Sequence, residues 1–255
     1  MSRAKTARQT RILAELASSP SLRIADLARL HEVSAETIRR DLDELTRKGH
    51  LNRTYGGAVK AAPAEPAVSE RHLLYVRERE QVAVRAVAEL SGAKTLFIGS
   101  GSTTAHVARR IAAELKDITV LTHSFGVANA LSFNPNISVI VLPGQYHAGE
   151  GAMVGAHCVE FIRQFNVDWA VFGASGLGVD GPTEALLECS EVYRCMAARA
   201  AQVLVAVDHS KFDLVYPGQY ANWRQVDRLV CDRMPSDELA ACIGHERIRL
   251  ASMPA

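Results

Sequence analysis

The residues of this chain best suited to chemistry fall into two groups of opposite character. The first is a set of charged and hydroxyl side chains, Ser34, Glu36, Thr37, Arg39, Arg40, Arg47 and Arg53. Ile38, Leu42 and Leu45 recur among them at helical spacing. One helix face is therefore apolar, and Glu36, Thr37, Arg39, Arg40, Asp43 and Arg47 lie on or near the other. Arginine can make two parallel hydrogen bonds to guanine, and threonine can contact a base or a phosphate. The second group is rich in glycine and hydroxyls: Ile98-Gly99-Ser100-Gly101-Ser102-Thr103-Thr104 follows an apolar run and opens a helical one. Free N–H groups at a helix start, with Ser and Thr hydroxyls beside them, suit an anion and above all a phosphate. No Gly-Lys-Ser/Thr follows, which disfavours nucleotide hydrolysis, and the spacing is not G-x-G-x-x-G.

Four more loops are expected at the same ends of neighbouring strands. They are Thr122-His123-Ser124, Pro143-Gly144-Gln145, Gly173-Ala174-Ser175-Gly176 and Asp208-His209-Ser210-Lys211-Phe212. Ligands of open α/β sheets bind beyond the carboxyl ends of the strands. The candidate binding residues are thus Ser100, Gly101, Ser102, Thr103, Thr104, His123, Ser124, Gly144, Ser175, Gly176, Asp208 and Lys211. Lys211 offers a positive charge to a phosphate, and Asp208 can accept hydrogen bonds from ligand hydroxyls. The alternative for this pair is a local ion pair that shapes the turn.

Two domains must position these groups. Ile12, Leu13 and Leu16, then Ile24, Leu27 and Ala28, then Ile38, Leu42 and Leu45 mark three short helices. Ser18-Ser19-Pro20-Ser21 and His31-Glu32-Val33-Ser34 separate them, and Ser34 is suited to cap the third. After Lys48-Gly49, the stretch from Leu51 to Ala58 reads as a short extended segment with a Gly56-Gly57 turn. Three helices and an extended segment predict a winged helix-turn-helix over 1–60, whose third helix enters the major groove. Periodicity alone leaves a protein-interaction module equally open. Lys5, Arg8 and Arg11 are further candidates for neutralising phosphates.

Residues 61–70, with Pro63 and Pro66, read as a semi-stiff linker. From 71 to 255 the pattern changes: a long helix over 71–91, strands at 95–98, 119–122, 139–142, 169–172, 203–207 and 229–231, and helices at 103–114, 125–132, 155–164, 190–201 and 236–243. This alternation predicts an α/β domain with a mostly parallel sheet covered on both faces.

Charge divides at the same place. The 255 residues carry a net charge of +1, which taken whole argues against a nucleic-acid binder. Residues 1–60 hold 12 Lys/Arg against 7 Asp/Glu, a net of +5, and the rest a net of −4. Only the head is suited to a large anion. A hydrophobic content of 48% allows a buried core. No apolar run of membrane-spanning length occurs, and no signal core follows the basic N-terminus. Five scattered cysteines without Cys-x-x-Cys spacing fit a reduced, cytoplasmic protein with no metal site, and no cofactor is expected.

The string Val33-Ser34-Ala35-Glu36-Thr37-Ile38-Arg39-Arg40-Asp41-Leu42, followed by Leu45, Gly49, Leu51, Arg53 and Gly56-Gly57-Ala58, resembles the signature of the DeoR family of bacterial repressors. The resemblance continues through Ile98 to Thr104, Thr122-His123-Ser124, Val154-Gly155, 172–176, Asp180-Gly181 and 208–212, nearly the whole chain. It implies that Ser34, Glu36, Thr37, Arg39, Arg40 and, on the wing, Arg53 meet operator DNA, with Asp41 holding neighbouring arginines. It also implies that the body resembles ribose-5-phosphate isomerase in fold and senses a phosphorylated sugar or polyol such as glycerol 3-phosphate. Four positions depart from the family pattern: Gly99 stands where an Asp is usual, His123 where an Asn is usual, and Pro143 where a Gly is usual, while Tyr193-Arg194-Cys195-Met196 keeps only one basic residue.

Three functions follow as expectations. The first is a repressor of a carbohydrate or polyol operon, a homodimer or homotetramer on double-stranded operator DNA, relieved by its effector. The second is a sugar-phosphate isomerase-like enzyme with an accessory DNA-binding domain, using Asp208, Lys211 and Glu191 as acid–base groups. The third is a regulator whose body only oligomerises.

Overall fold

The computed structural model describes residues 3–18, 21–47, 51–53, 57–60 and 65–251. These divide into two compact units: one runs to Glu65, and the other holds the chain from Pro66 onward except 213–215.

The head contains α1 (Arg3–Ser18), β1 (Ser21–Arg23), α2 (Ile24–Leu30), α3 (Ala35–Arg47), β2 (Leu51–Arg53) and β3 (Gly57–Lys60). Ile12, Leu16, Ile24, Leu27, Ile38, Leu42, Leu45 and Leu51 form its core, and the apolar stripe expected on α3 is fully buried. A helix of this length is marginal alone, so packing of that stripe holds it. Ser34 begins α3 as expected: its Oγ accepts from the N–H of Thr37 at 3.2 Å. The expected extended segment is a three-stranded antiparallel sheet, β1-β3-β2. Its strand β1 falls in the serine-rich break, where only three residues pair and no strand pattern can show. Gly57 lies within β3, where a Cβ would overlap the carbonyl oxygen of Leu22. Residues 19–20, 48–50, 54–56 and 61–64, which include Pro20, Lys48-Gly49, Gly56 and Pro63 of the sequence reading, lie outside the described residues.

The body opens with α4 (Val68–Arg71) and α5 (Val76–Glu89), in place of the single helix expected over 71–91. The break is at Tyr75, with left-handed φ 51°, and no glycine or proline signals it. There follow β4 (Thr95–Ile98), α6 (Ser102–Glu114), β5 (Ile118–Thr122), α7 (Phe125–Leu131), β6 (Ile137–Val141), β7 (Gln145–His147), β8 (Ala152–Val154), α8 (Ala156–Ile162), β9 (Val167–Phe172), β10 (Gly176–Gly178), β11 (Gly181–Glu184), α9 (Leu187–Ala198), β12 (Ala200–Val207), β13 (Gly218–Gln219), β14 (Arg228–Cys231), α10 (Asp237–Ile243) and β15 (Ile248–Leu250). Helix α9 ends three residues before the expected 201, because β12 already begins at Ala200. Helix α8 is likewise shorter than 155–164.

The main sheet has seven strands in the order β15-β14-β12-β9-β4-β5-β6, all parallel. Both faces are covered. Leu96, Ile98, Val120, Val171, Leu204 and Ala206 pack with Val82, Ala86, Val107, Ile111 and Leu131 of α5, α6 and α7. Phe97, Leu121, Phe172 and Val205 pack on the other side with Ile162, Val192, Met196 and Leu239 of α8, α9 and α10. Burial on both faces explains why these strands read as continuous apolar runs. Two small antiparallel sheets, β7-β8 and β10-β11-β13, were not anticipated. The chain lays β4, β5 and β6 outward and then returns to β9 on the other side of β4. That reversal is a topological switch point, where open α/β sheets bind ligands.

Candidate nucleic-acid interface and effector site

On α3, Glu36, Arg39 and Arg40 are exposed and Thr37 is half-buried. They stand opposite the stripe buried in the head core. Glu36 pairs with Arg39 at 3.6 Å and with Arg40 at 3.3 Å. Such exposed pairs are weak and are readily exchanged for phosphate or base contacts. Asp41 is buried, and it accepts from Arg8 and from Gln9 of α1. It therefore fastens α3 to α1 and does not hold the arginines beside it in sequence. Arg8 is thereby committed inside the head, and Lys5 is paired with Glu44. Neither matches the expectation of a phosphate contact, because charge alone does not distinguish a cation facing DNA from one closing a helix pair. Arg47 ends α3 and Arg53 ends β2, but their side chains lie outside the described residues.

The body's candidate residues gather at the carboxyl ends of β4, β5, β9 and β12, around the switch point. Gly101 caps α6 at φ 128°, which leaves the first-turn N–H groups of Ser102, Thr103 and Thr104 pointing out of the helix. Ser100, Ser102, Thr103, Thr104, His123, Ser124, Ser175 and Asp208 are all buried.

Many of these polar groups bond to one another. The N–H of Ser100 donates to His123 Nε2 at 3.0 Å. The neutral ring must then carry its proton on Nδ1, which donates to the carbonyl of Met153 at 2.8 Å. Complete burial pushes the His123 pKa down to about 4, so the ring is neutral at pH 7. The Tyr193 hydroxyl donates to the Ser100 carbonyl at 2.8 Å and lies 2.9 Å from Ser100 Oγ, which donates to it in turn. Both donors of Ser100 are thus used within the protein. Thr104 Oγ1 donates to the Gly101 carbonyl, Ser124 caps α7, and Ser175 bonds Glu184 and the N–H of Ala185. Gly144 packs against the backbone of Val154, and Gly176 opens β10. The donors left to a ligand at the first turn of α6 are its N–H groups and the hydroxyls of Ser102 and Thr103.

Three of the four departures from the family pattern prove to be neighbours. A Cβ at Gly99 would lie 2.7 Å from Tyr193 Cε1. The rings of His123 and Tyr193 meet edge to face with centroids 5.6 Å apart. Gly99, His123 and Tyr193 therefore form one packed unit around Ser100.

Asp208 does not stand ready for a ligand hydroxyl. Its Oδ2 accepts from Arg79 Nε at 2.9 Å, and its Oδ1 accepts from the N–H and hydroxyl of Ser210. Arg79 is itself fully buried and also donates to the Arg71 carbonyl. Arg71, again buried, donates from Nη2 to both carboxylate oxygens of Glu150, at 2.6 and 2.5 Å. Lys211 is half-buried in the turn after Asp208. Sequence reasoning missed Arg71, Arg79, Glu150 and Glu184; the one available signal was that an Asp ending a buried strand requires a cation. Glu191 is exposed on α9 and lines a groove with Arg163 and Cys195. Asp208, its proposed acid–base companion, is closed off by Arg79.

Family models match the chain twice: a DeoR-like helix-turn-helix domain over residues 8–63 and a DeoR C-terminal sensor domain over residues 75–233. The chain belongs to the DeoR family. It is a helix-turn-helix transcriptional regulator with a sensor body. Relatives include the HTH-type transcriptional repressor CsqR of Escherichia coli, 28% identical over 95% of this chain and 94% of that protein. The glycerol-3-phosphate regulon repressor of Escherichia coli is 27% identical over 88% and 90%. A solved D-ribose-5-phosphate isomerase in complex with phospho-erythronic acid aligns with 52% of each chain at 18% identity and a TM-score of 0.40. No helix among the described residues is long and apolar enough to cross a membrane.

Proposed function

We propose that this DeoR-family protein represses a carbohydrate or polyol operon and leaves its operator when the body binds a phosphorylated sugar or polyol. The observation that carries the reading is the first turn of α6. Its N–H groups and the Ser102 and Thr103 hydroxyls sit at the switch point of a parallel sheet, where such local donors suit a small anion although the body is acidic overall. A relative named for glycerol 3-phosphate supports that ligand class. The operator-facing residues are Ser34, Glu36, Thr37, Arg39, Arg40, Arg47 and Arg53. Assembly as a homodimer or homotetramer fits paired half-sites, and the working compartment is the cytoplasm.

The test is operator binding titrated with glycerol 3-phosphate and ribose 5-phosphate. Release of DNA by either supports the reading, and unchanged DNA affinity with both overturns effector control by these ligands. Arg39→Ala and Arg40→Ala are each expected to weaken operator binding by about 1–3 kcal/mol if they reach base edges. The enzyme reading loses Asp208 from its acid–base set, because Arg79 and Ser210 hold that carboxylate.

A further inference from the structure

Arg71 lies on the short stretch that leads from the end of the head unit into the body. Helix α4, which carries it, packs against α6, the helix whose N-terminus forms the proposed anion site. The placement is seen a second way. Arg71 and Glu150 both act electrostatically on the Cys189 thiol, which lies 3.9 Å from Ser100 Oγ in the loop after β4. Arg71 and Arg79 also help hold His72 below its ordinary pKa, after burial and Arg109 of α6.

Two buried arginines stand at the carboxyl end of the sheet, each matched by a carboxylate: Asp208 follows β12, and the turn that carries Glu150 is bonded to the loop after β5 through the Phe125 N–H and the Gly151 carbonyl. The two carboxylates stand on different supports. Asp208 is fixed at the end of β12 and is bonded by Arg79 and twice by Ser210. Glu150 sits in the tight turn between β7 and β8, beside Gly149 and Gly151. Two negative oxygens on a short turn, bound to one guanidinium nitrogen, occupy the place that a phosphate would take on Arg71.

We propose that Arg71 is the guanidinium that receives the effector's phosphate, and that Glu150 is an internal counter-ion which the phosphate displaces. This rests on the reading of the body as a phosphate site. The exchange keeps Arg71 neutralised in both states. It transfers the stretch that enters the body from the β7–β8 turn to the ligand, so occupancy of the site is felt on that stretch. It also gives the site its selectivity for doubly charged phosphomonoesters, because a neutral sugar offers nothing to replace the carboxylate.

The experiment is calorimetric titration of the full-length protein with inorganic phosphate, glycerol 3-phosphate and ribose 5-phosphate. Wild type, Glu150→Gln, Arg71→Gln and Ser102→Glu are compared, and the melting temperature without ligand verifies that each is folded. Glu150→Gln removes the competing charge and keeps the shape, so the ligand that binds wild type is expected to bind it about tenfold tighter. Arg71→Gln is expected to weaken binding at least tenfold. Ser102→Glu reports on the site itself, since it places a carboxylate at the start of α6 and should abolish binding. If wild type binds in a manner sensitive to Ser102→Glu, and Glu150→Gln binds no tighter, the displacement proposal is overturned while the phosphate site stands. If neither wild type nor Glu150→Gln binds any of the three, the phosphate-site reading fails and this proposal falls with it. If Arg71→Gln does not fold, the Glu150→Gln comparison decides alone.

Discussion

The head and the body handle charge in opposite ways. On α3 the arginines are exposed, and their pairings with Glu36 are long and loose. In the body the Arg79–Asp208 pair at the sheet end is enclosed, with Arg79 only 1% and Asp208 0% exposed. A duplex is large and rigid, so the surface that reads it must stand open, and solvent and salt then weaken every contact it makes. A metabolite is small enough to be enclosed, and in an enclosed site a few local donors outweigh the body's overall negative charge. An exposed charge and an enclosed one should therefore answer added salt differently.

The largest test of this contrast removes one half of an enclosed pair. Arg79→Met leaves Asp208 charged and buried beside Ser210 alone, and is expected to cost about 3–5 kcal/mol of body stability. The double variant Arg79→Met, Asp208→Leu is expected to lose less than the single one, since no uncompensated charge remains. Denaturant melts of the three proteins measure both. Raising the salt concentration should leave the single variant's deficit nearly unchanged while it weakens operator binding steeply.

A smaller effect comes from the neutral ring of His123 beneath the loop after β4. An unfolded His123 takes a proton near pH 6.5, but the folded one does so only near 4, because burial disfavours the charged ring. The unfolded state therefore binds more protons between these values. The stability tied to the neutral ring is complete above about pH 6.5 and is lost as pH falls toward 4. The full span is on the order of 3 kcal/mol. His123→Asn should show a flatter loss of stability over that interval than wild type. Parallel slopes would mean that this ring is not the titrating group.

The same contrast decides what could be read from the sequence. The parallel sheet was legible because strands buried on both faces are short apolar runs between glycine-rich loops, as at 95–98 and 203–207. Helix α3 was legible because Ile38, Leu42 and Leu45 mark its buried face and Ser34 its start. The groups that close the body's site were not. Arg71 and Arg79 sit in a helical, charge-rich stretch that reads as a solvated face, and only the fold shows which charges it turns inward. Arg8 misled in the same way. The hairpin β7-β8 carries Glu150 to Arg71 on strands of three residues, too short for alternation to register. Gly99 and Tyr193 were visible as separate oddities 94 positions apart, and only their contact makes them one feature.

That contact can be tested by crowding it. Gly99→Ala places a Cβ 2.7 Å from Tyr193 Cε1 and 3.2 Å from Phe172 Cδ1. Tyr193 cannot yield easily, being buried and bonded through its hydroxyl to Ser100. The expected cost is about 1–3 kcal/mol of overpacking. In Gly99→Ala, Tyr193→Leu the two changes should be strongly non-additive, because the smaller side chain vacates the space the Cβ needs. Additive costs in thermal melts would show that the two positions are independent.

The smallest expected effect belongs to the open side. Ser34 Oγ accepts the Thr37 N–H at 3.2 Å and lies 2.9 Å from Thr37 Oγ1. Ser34→Ala should therefore cost about 1 kcal/mol of head stability through the lost cap. If the Ser34 hydroxyl also meets a phosphate, operator affinity must fall by more than fraying of α3 explains. Ser34→Gly separates the two roles: glycine is itself a tolerated cap and loses only a few tenths of a kcal/mol in stability, yet it offers no hydroxyl to DNA. A glycine variant with near-native stability and weakened operator binding assigns Ser34 to the interface. Native affinity would make it a cap alone, leaving Thr37, Arg39 and Arg40 to carry the readout.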